Sequence, residues 1–232
     1  MDINKPIIDV IIPALNEELS IAKVIRDIPK SIIRHIIVVD NGSTDFTKKN
    51  AEEAGAIVLK EDTKGYGIAC QTGVNYLKQL TQQPDIVVFI DGDYSDYPEE
   101  IPELVLPIIE KEMDLVIGSR TLGKREKHSL TLPQIFGNWL ATKLIYLFYK
   151  AKYTDLGPFR AIKLEVLEKI NMQDMTYGWT VEMQLKVAKN HMNFCEIPVN
   201  YRNRIGTSKI SGTVKGSILA GYKIIVTIFK YL

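Results

Sequence analysis

Runs of uninterrupted apolar residues alternate along the chain with stretches whose apolar positions recur every three or four residues. Ile7 to Ile12 is the first such run, closed by Pro13. A helical pattern follows, with Ile21, Val24, Ile25 and Ile28 on one face and Pro29 just beyond it. Ile36 to Val39 is a second run, ending at Asp40-Asn41-Gly42-Ser43-Thr44-Asp45. Ser43 or Thr44 is placed to cap a helix reaching about Ala54, with Gly55 as its stop. Ala56 to Leu59 predicts a third strand, and Lys64-Gly65-Tyr66-Gly67 opens a helix through about Leu80. Ile86 to Ile90 has no polar interruption and reads as a central parallel strand buried on both faces. Beyond Pro98, Glu99 and Glu100 suit the first turn of a helix, and Leu115 to Ile117 is a further strand ending in Gly118-Ser119-Arg120. The rhythm predicts an α/β fold with a parallel sheet and right-handed crossovers.

In such sheets ligands bind beyond the carboxyl ends of the strands. Asn16-Glu17, Asp40 and Asp91-Gly92-Asp93 each follow a predicted strand, so they are expected on one rim. Asp91 and Asp93 can converge on one hard cation, while Gly92 lets the backbone come close to a ligand. Asp-Gly is also ordinary turn chemistry, so spacing alone leaves metal site and turn both open. Arg120 falls on the same rim, where its guanidinium suits either a phosphate or a salt bridge to Asp91 or Asp93. Gly65-x-Gly67 lacks the third glycine of a dinucleotide loop, so a plain helix entry is the better reading, with Lys64 beside it in reach of a nucleotide.

Composition adds limits. A chain of 232 residues suits one large α/β domain, and a formal net charge of +1 gives no general pull toward nucleic acid. The charges are unevenly placed, however. No acidic residue follows Glu196, while Arg202, Arg204, Lys209, Lys215, Lys223 and Lys230 do, which suggests an anionic partner such as a phosphate or an anionic membrane surface. Cys70 and Cys195 are far apart and outside any ligand spacing, arguing for a reducing compartment and against zinc. MDINKPIIDVIIP does not read as a signal peptide, and no stretch reaches the roughly 20 apolar residues of a membrane span. The chain is therefore expected to be soluble or peripheral.

PALNEE, VVDNGSTD, KGYGIACQTG, FIDGDYSD and GSR, in this order, resemble the family 2 glycosyltransferases of the GT-A fold. Within that family the likeness is greatest to the polyprenyl-phosphate (dolichyl-phosphate) mannosyl- and glucosyltransferases. It continues through TDLGPFRAI, YGWTVEMQLKVA and EIPVNYRNRIGTSKISGT, nearly the whole chain. The resemblance implies a Rossmann-like, mostly parallel sheet flanked by helices. It places a catalytic domain over residues 1–213 and a C-terminal amphipathic helix over 214–232. It implies that Pro13, Asn16 and Glu17 lie against the nucleotide and that Asp40 bonds the base. Asp91 and Asp93 would hold Mg²⁺ or Mn²⁺ and the diphosphate, with Ser95 where some relatives have a further metal contact. Arg120 resembles the arginine that meets an acceptor phosphate, and Arg204 and Lys209 fall in a loop that closes over the donor. A second acceptor arginine of the relatives is replaced here by Pro133-Gln134, with Lys124, Arg125, Lys127 or His128 as substitutes.

In the reaction so implied, an acceptor oxygen attacks the anomeric carbon while a nucleotide diphosphate leaves, with inversion. A lipid phosphate is already ionised near neutral pH and requires no base; a hydroxyl acceptor does, and Asp155 and Glu182 are the candidates. Glu182 suits equally a helix carboxylate that caps or pairs with Arg160. Ile135 to Tyr149 is apolar almost all round and is expected to be covered on more than one side. From about Val214, the last helix places Ile218, Leu219, Tyr222, Ile225, Val226 and Phe229 on one face, flanked by Lys223 and Lys230. That is the pattern of a helix in a membrane interface, or of an oligomer contact. Three functions are compatible with these features. They are transfer to a polyprenyl phosphate at the cytoplasmic membrane face, transfer to a hydroxyl, and a non-catalytic nucleotide-sugar-binding subunit; the intact Asp91-Asp93 pair speaks against the last.

Overall fold

The computed structural model describes residues 5–206 and 214–232, apart from the side chains of 214–218 and 220. Seven strands form one sheet: β1 (Ile8–Ala14), β2 (His35–Asp40), β3 (Ile57–Lys60), β4 (Ile86–Phe89), β5 (Leu115–Ser119), β6 (Arg160–Lys163) and β7 (Phe194–Pro198). Their order is β3-β2-β1-β4-β6-β5-β7. The first half, β3-β2-β1-β4, is parallel throughout, with Val10 opposite Ile36 and Val88. β6 runs antiparallel to both β4 and β5, and β7 is parallel to β5. β4 is fully buried as its apolar run requires, yet it is parallel only on its β1 side. The reversal falls in the TDLGPFRAI stretch, whose mixed composition carries no strand period.

Among the described residues, eight α-helices cover the two faces. α1 (Ile21–Asp27), α2 (Thr47–Glu53) and α4 (Ile101–Lys111) lie on one side. The other carries α3 (Tyr66–Gln79), α5 (Leu132–Tyr149), α6 (Leu164–Ile170), α7 (Trp179–Lys189) and α8 (Val214–Lys230). Strand alternation divides the core accordingly: Val10, Ile12 and Val88 face the first layer, while Ile11, Val87 and Phe89 face the second. A short 3₁₀ turn, Pro98–Glu100, precedes α4.

Two local expectations change. α2 starts at Thr47, and neither Ser43 nor Thr44 caps it. Asp45 accepts from the Thr47 amide at 3.0 Å instead, while Ser43 and Thr44 bind Asn16 from the neighbouring loop. α5 is not covered on several sides. Only Ala141, Thr142 and Ile145 are buried, whereas Leu132, Phe136, Trp139 and Leu147 are more than half exposed. Pro133 and Gln134 serve its start, where Gln134 and Thr131 form a capping box.

α8 lies against α5 and α7. Thr227 and Ile228 are buried, and Leu219, Tyr222, Val226 and Phe229 are exposed beside the bare face of α5; Phe148 and Phe229 meet edge to face at 5.5 Å. Among the described residues no helix is long and apolar enough to cross a membrane.

Candidate active site

The carboxyl ends of β1, β2 and β4 converge on one cleft, lined by Pro13, Glu17, Asn41, Lys64, Tyr66, Asp91, Gly92, Asp93, Thr176, Tyr177 and Arg204, among others. β4 delivers Asp91-Gly92-Asp93, and the turn is held by Tyr94 in the left-handed region (φ 63°). Asp93 accepts from the Ser95 amide at 2.9 Å and from the Ser95 hydroxyl at 2.5 Å. Ser95 is therefore buried behind Asp93 as its support, and is not presented to the cleft. Asp91 Oδ1 is buried and has no hydrogen-bond partner among the described residues.

A second segment is stapled onto this turn. The Arg202 amide donates to the Ser95 carbonyl and the Ile205 amide to the Asp93 carbonyl, each at 3.0 Å. The Arg202 guanidinium lies between the rings of Tyr94 and Tyr97, 3.4 and 4.2 Å from their centroids. This fixes Arg204 over the carboxylates: its Nη2 is 3.1 Å from Glu17 Oε1 and 3.2 Å from Asp93 Oδ2. Lys209 lies outside the described residues.

The two crowded carboxylates suit a hard divalent cation. Burial, and then the neighbouring Asp93, push the Asp91 carboxyl up to about 7, against the opposing pull of Arg204 and Tyr66. Two such oxygens leave coordination positions for phosphates, as Mg²⁺ and Mn²⁺ sites do. A carboxyl raised in this way keeps its proton in the folded chain but ionises in the unfolded one. Its contribution to stability therefore falls as pH rises from about 4 to about 7 and stays low above that. In EDTA, Asp91→Asn is expected to raise the melting temperature at pH 8 and to change it little at pH 4. Equal shifts at both pH values would remove the crowding.

The other expected donor contacts divide into those that face the cleft and those that build its walls. Pro13, Glu17, Lys64 and Gly92 line it. Asp40, expected against the base, instead accepts from the Ser43 amide at 3.0 Å, and its neighbour Asn41 lines the cleft. Asn41 ties the loop after β2 to residues 61–65, donating to the Glu61 and Thr63 carbonyls and accepting from the Gly65 amide at 2.8 Å. Asn16, left-handed at φ 53°, likewise joins the loops after β1 and β2 through Ser43 and Thr44. Gly65 and Gly67 are more than a helix entry. A Cβ on Gly67 would fall 2.1 Å from the Asp174 carbonyl oxygen, so only glycine lets these backbones meet.

Arg120 pairs with neither Asp91 nor Asp93. Its Nε and Nη2 form a fork onto Asp155 at 2.8 and 2.7 Å, and its guanidinium is 5.1 Å from the Tyr201 ring centroid. Burial acts to raise the Asp155 carboxyl, but Arg120 holds it below the usual range, which disqualifies it as a base near neutral pH. Glu182 is fully buried and bonded to the Gln173 and Asp174 amides, the Tyr231 hydroxyl and Lys186, not to Arg160. Arg160 donates to the carbonyls of Thr180, Leu156 and Gly157. Both proposed bases thus have structural partners and neither lines the cleft.

Asn41, Tyr66, Thr176 and Tyr177 have no site role assigned from the sequence, and Arg202 enters there only as one cation of the basic tail. Asn41 and Tyr66 adjoin residues that have one, but Thr176 and Tyr177 reach the cleft from a segment more than eighty residues beyond β4. No local pattern signals that approach.

The family model described as glycosyl transferase family 2 matches residues 9–170. An uncharacterized glycosyltransferase of Mycobacterium tuberculosis is 33% identical over 216 residues, covering 92% of this chain and 94% of that protein. A dolichyl-phosphate hexose transferase of Haloferax volcanii is 29% identical over 214 residues, covering 90% and 89%. In fold, the chain is similar to the crystal structure of glucosyl-3-phosphoglycerate synthase from Mycobacterium tuberculosis in complex with Mn²⁺, UDP and glucosyl-3-phosphoglycerate. The TM-score is 0.77 at 22% identity, over 97% of this chain and 80% of that one.

Proposed function

Because this chain belongs to glycosyl transferase family 2, and is a glycosyltransferase, we propose that it transfers a hexose from a nucleotide diphosphate sugar to a polyprenyl phosphate at the cytoplasmic face of a membrane. The observation that carries the donor half is the cleft itself. Asp91 and Asp93 stand at its floor, with Arg204 above them and Lys64 on its wall. A divalent cation held by Asp91 and Asp93 would supply Lewis-acid stabilisation of the diphosphate as it leaves. Ser95 orients the Asp93 carboxylate. Arg204 supplies fixed positive charge beside the place where the diphosphate's negative charge grows.

Two features favour a phosphate acceptor. Asp155 and Glu182 are committed to Arg120 and to the Gln173-Asp174 turn, so neither is placed to take a hydroxyl proton, and an ionised phosphate needs none. The exposed apolar faces of α5 and α8 offer a surface for a lipid bilayer, with Lys143 and Lys230 on the same two helices. The name of the Haloferax volcanii relative agrees with this acceptor. A second reading, transfer to a small acceptor, is favoured by the Mycobacterium tuberculosis synthase of the same fold, whose crystal holds a phosphoglycerate product.

The two separate in one assay. The protein is incubated with labelled UDP-glucose or GDP-mannose, Mn²⁺, and either undecaprenyl phosphate in vesicles or 3-phosphoglycerate. Label extracted into organic solvent only when the lipid is present is the expected result. Label transferred to 3-phosphoglycerate establishes the second reading. Nucleotide binding without turnover on any acceptor removes the catalytic assignment of the site.

A further inference from the structure

The buried side of α8 packs on α5, on α7 and on the 174–178 segment. We propose that Lys223 and Tyr231, contributed by α8 and its end, are positioning residues that hold the 174–178 wall of that cleft, an inference that rests on the donor reading above. Lys223 Nζ is 2.9 Å from Asp174 Oδ2. The Tyr231 hydroxyl donates to Glu182 Oε1 at 2.6 Å. Glu182 in turn accepts from the amides of Gln173 at 2.8 Å and Asp174 at 2.6 Å.

Asp174 is the junction between these anchors and the wall. It is 7% exposed, and its Oδ1 accepts from the amides of Thr176 and Gly178 at 2.8 and 3.1 Å, folding the segment into a tight turn. From that turn Thr176 and Tyr177 project into the cleft lining. The turn also holds the opposite wall. The Gly67 amide donates to the Thr176 carbonyl at 3.2 Å and the Ile68 amide to the Met175 carbonyl at 3.0 Å. Between Gly65 and Gly67 sits Tyr66, which lines the cleft together with Asp91. One chain of hydrogen bonds therefore runs from α8 through Asp174 to the Gly67 and Ile68 amides beside Tyr66. α8 also packs directly on this wall, since a Cβ on Gly178 would lie 2.7 Å from Thr227 Oγ1.

The test uses the full-length protein carrying Lys223→Met, Tyr231→Phe or Lys223→Arg. The amides of 174, 176, 178, 67 and 68 are the reporters in hydrogen exchange, and UDP or GDP with Mn²⁺ is titrated calorimetrically. In Lys223→Met and Tyr231→Phe those amides are expected to exchange faster while the strand amides do not, and the nucleotide Kd rises on the order of fivefold, the low end of ordinary coupling between sites. Lys223→Arg restores both readouts. Unchanged exchange at these amides overturns the inference, as does faster exchange with unchanged nucleotide affinity. Exchange that rises equally in the strands marks a merely structural role and overturns it too. A parent protein that binds neither nucleotide removes the donor reading itself, and is told apart because the parent, not the variants, fails.

Discussion

Asp93→Ala is expected to reduce sugar transfer by roughly a thousandfold, the size of effect seen when a preorganised charge-stabilising group is lost. The carboxylate is 5% exposed, supported on one oxygen by Ser95 and facing Arg204 on the other. Without it, Asp91 alone must hold the cation, and among the described residues Arg204 keeps Glu17 as its acidic partner. Folding should survive, because the backbone bonds that staple the turn to Arg202 and Ile205 do not pass through the side chain. The substitution also removes the like charge that crowds Asp91, so the melting temperature in EDTA at pH 8 should stay level or rise. Steady-state turnover on the parent's best donor, together with thermal unfolding, checks both parts. Turnover within a few-fold of the parent would remove this carboxylate from the chemistry.

Arg120→Met should produce the largest loss of stability. The guanidinium and the Asp155 carboxylate form a two-pronged pair, with side chains 13% and 2% exposed. Removing one partner leaves a buried charge unpaired, at a cost of about 3–5 kcal/mol. Replacing both, as Arg120→Met with Asp155→Leu, should recover much of that, since a well-packed apolar pair avoids the desolvation of two ions. Urea unfolding of the single and double variants measures it. Equal destabilisation in both would show that the pair is not the source. The folded double variant also addresses the acceptor: an unchanged KM for undecaprenyl phosphate would take Arg120 out of acceptor binding.

The two predictions differ in how far the residues themselves pointed to them. Asp91-Gly92-Asp93 follows a wholly apolar strand, and a strand end is where side chains meet solvent and ligand, so that pair was legible in place, while spacing alone left metal site and turn both open. Pro13, Glu17 and Gly92 follow from the same reasoning, because each closes or follows a predicted strand on the shared rim, while Lys64 was placed by the helix entry beside it. Arg120 was legible in place only. Its partner is 35 positions away, on a segment with no periodic signal, and charge type alone could not choose between Asp155 and the two cleft carboxylates.

The order of apolar runs and helical patterns determined by itself the strand–helix rhythm, the parallel half of the sheet and the rim on which the acidic turn lies. It did so because burial of apolar residues and strand–helix periodicity are local constraints, expressed within a dozen residues. Only the tertiary structure decided that β6 enters antiparallel between β4 and β5, that Arg204 lies across Glu17 and Asp93, and that α8 supports the cleft through Asp174 and Glu182. Each of these joins residues tens to nearly two hundred positions apart. Pairings at that range depend on how the chain closes on itself, and a residue's type states what it can bond without stating what will stand beside it.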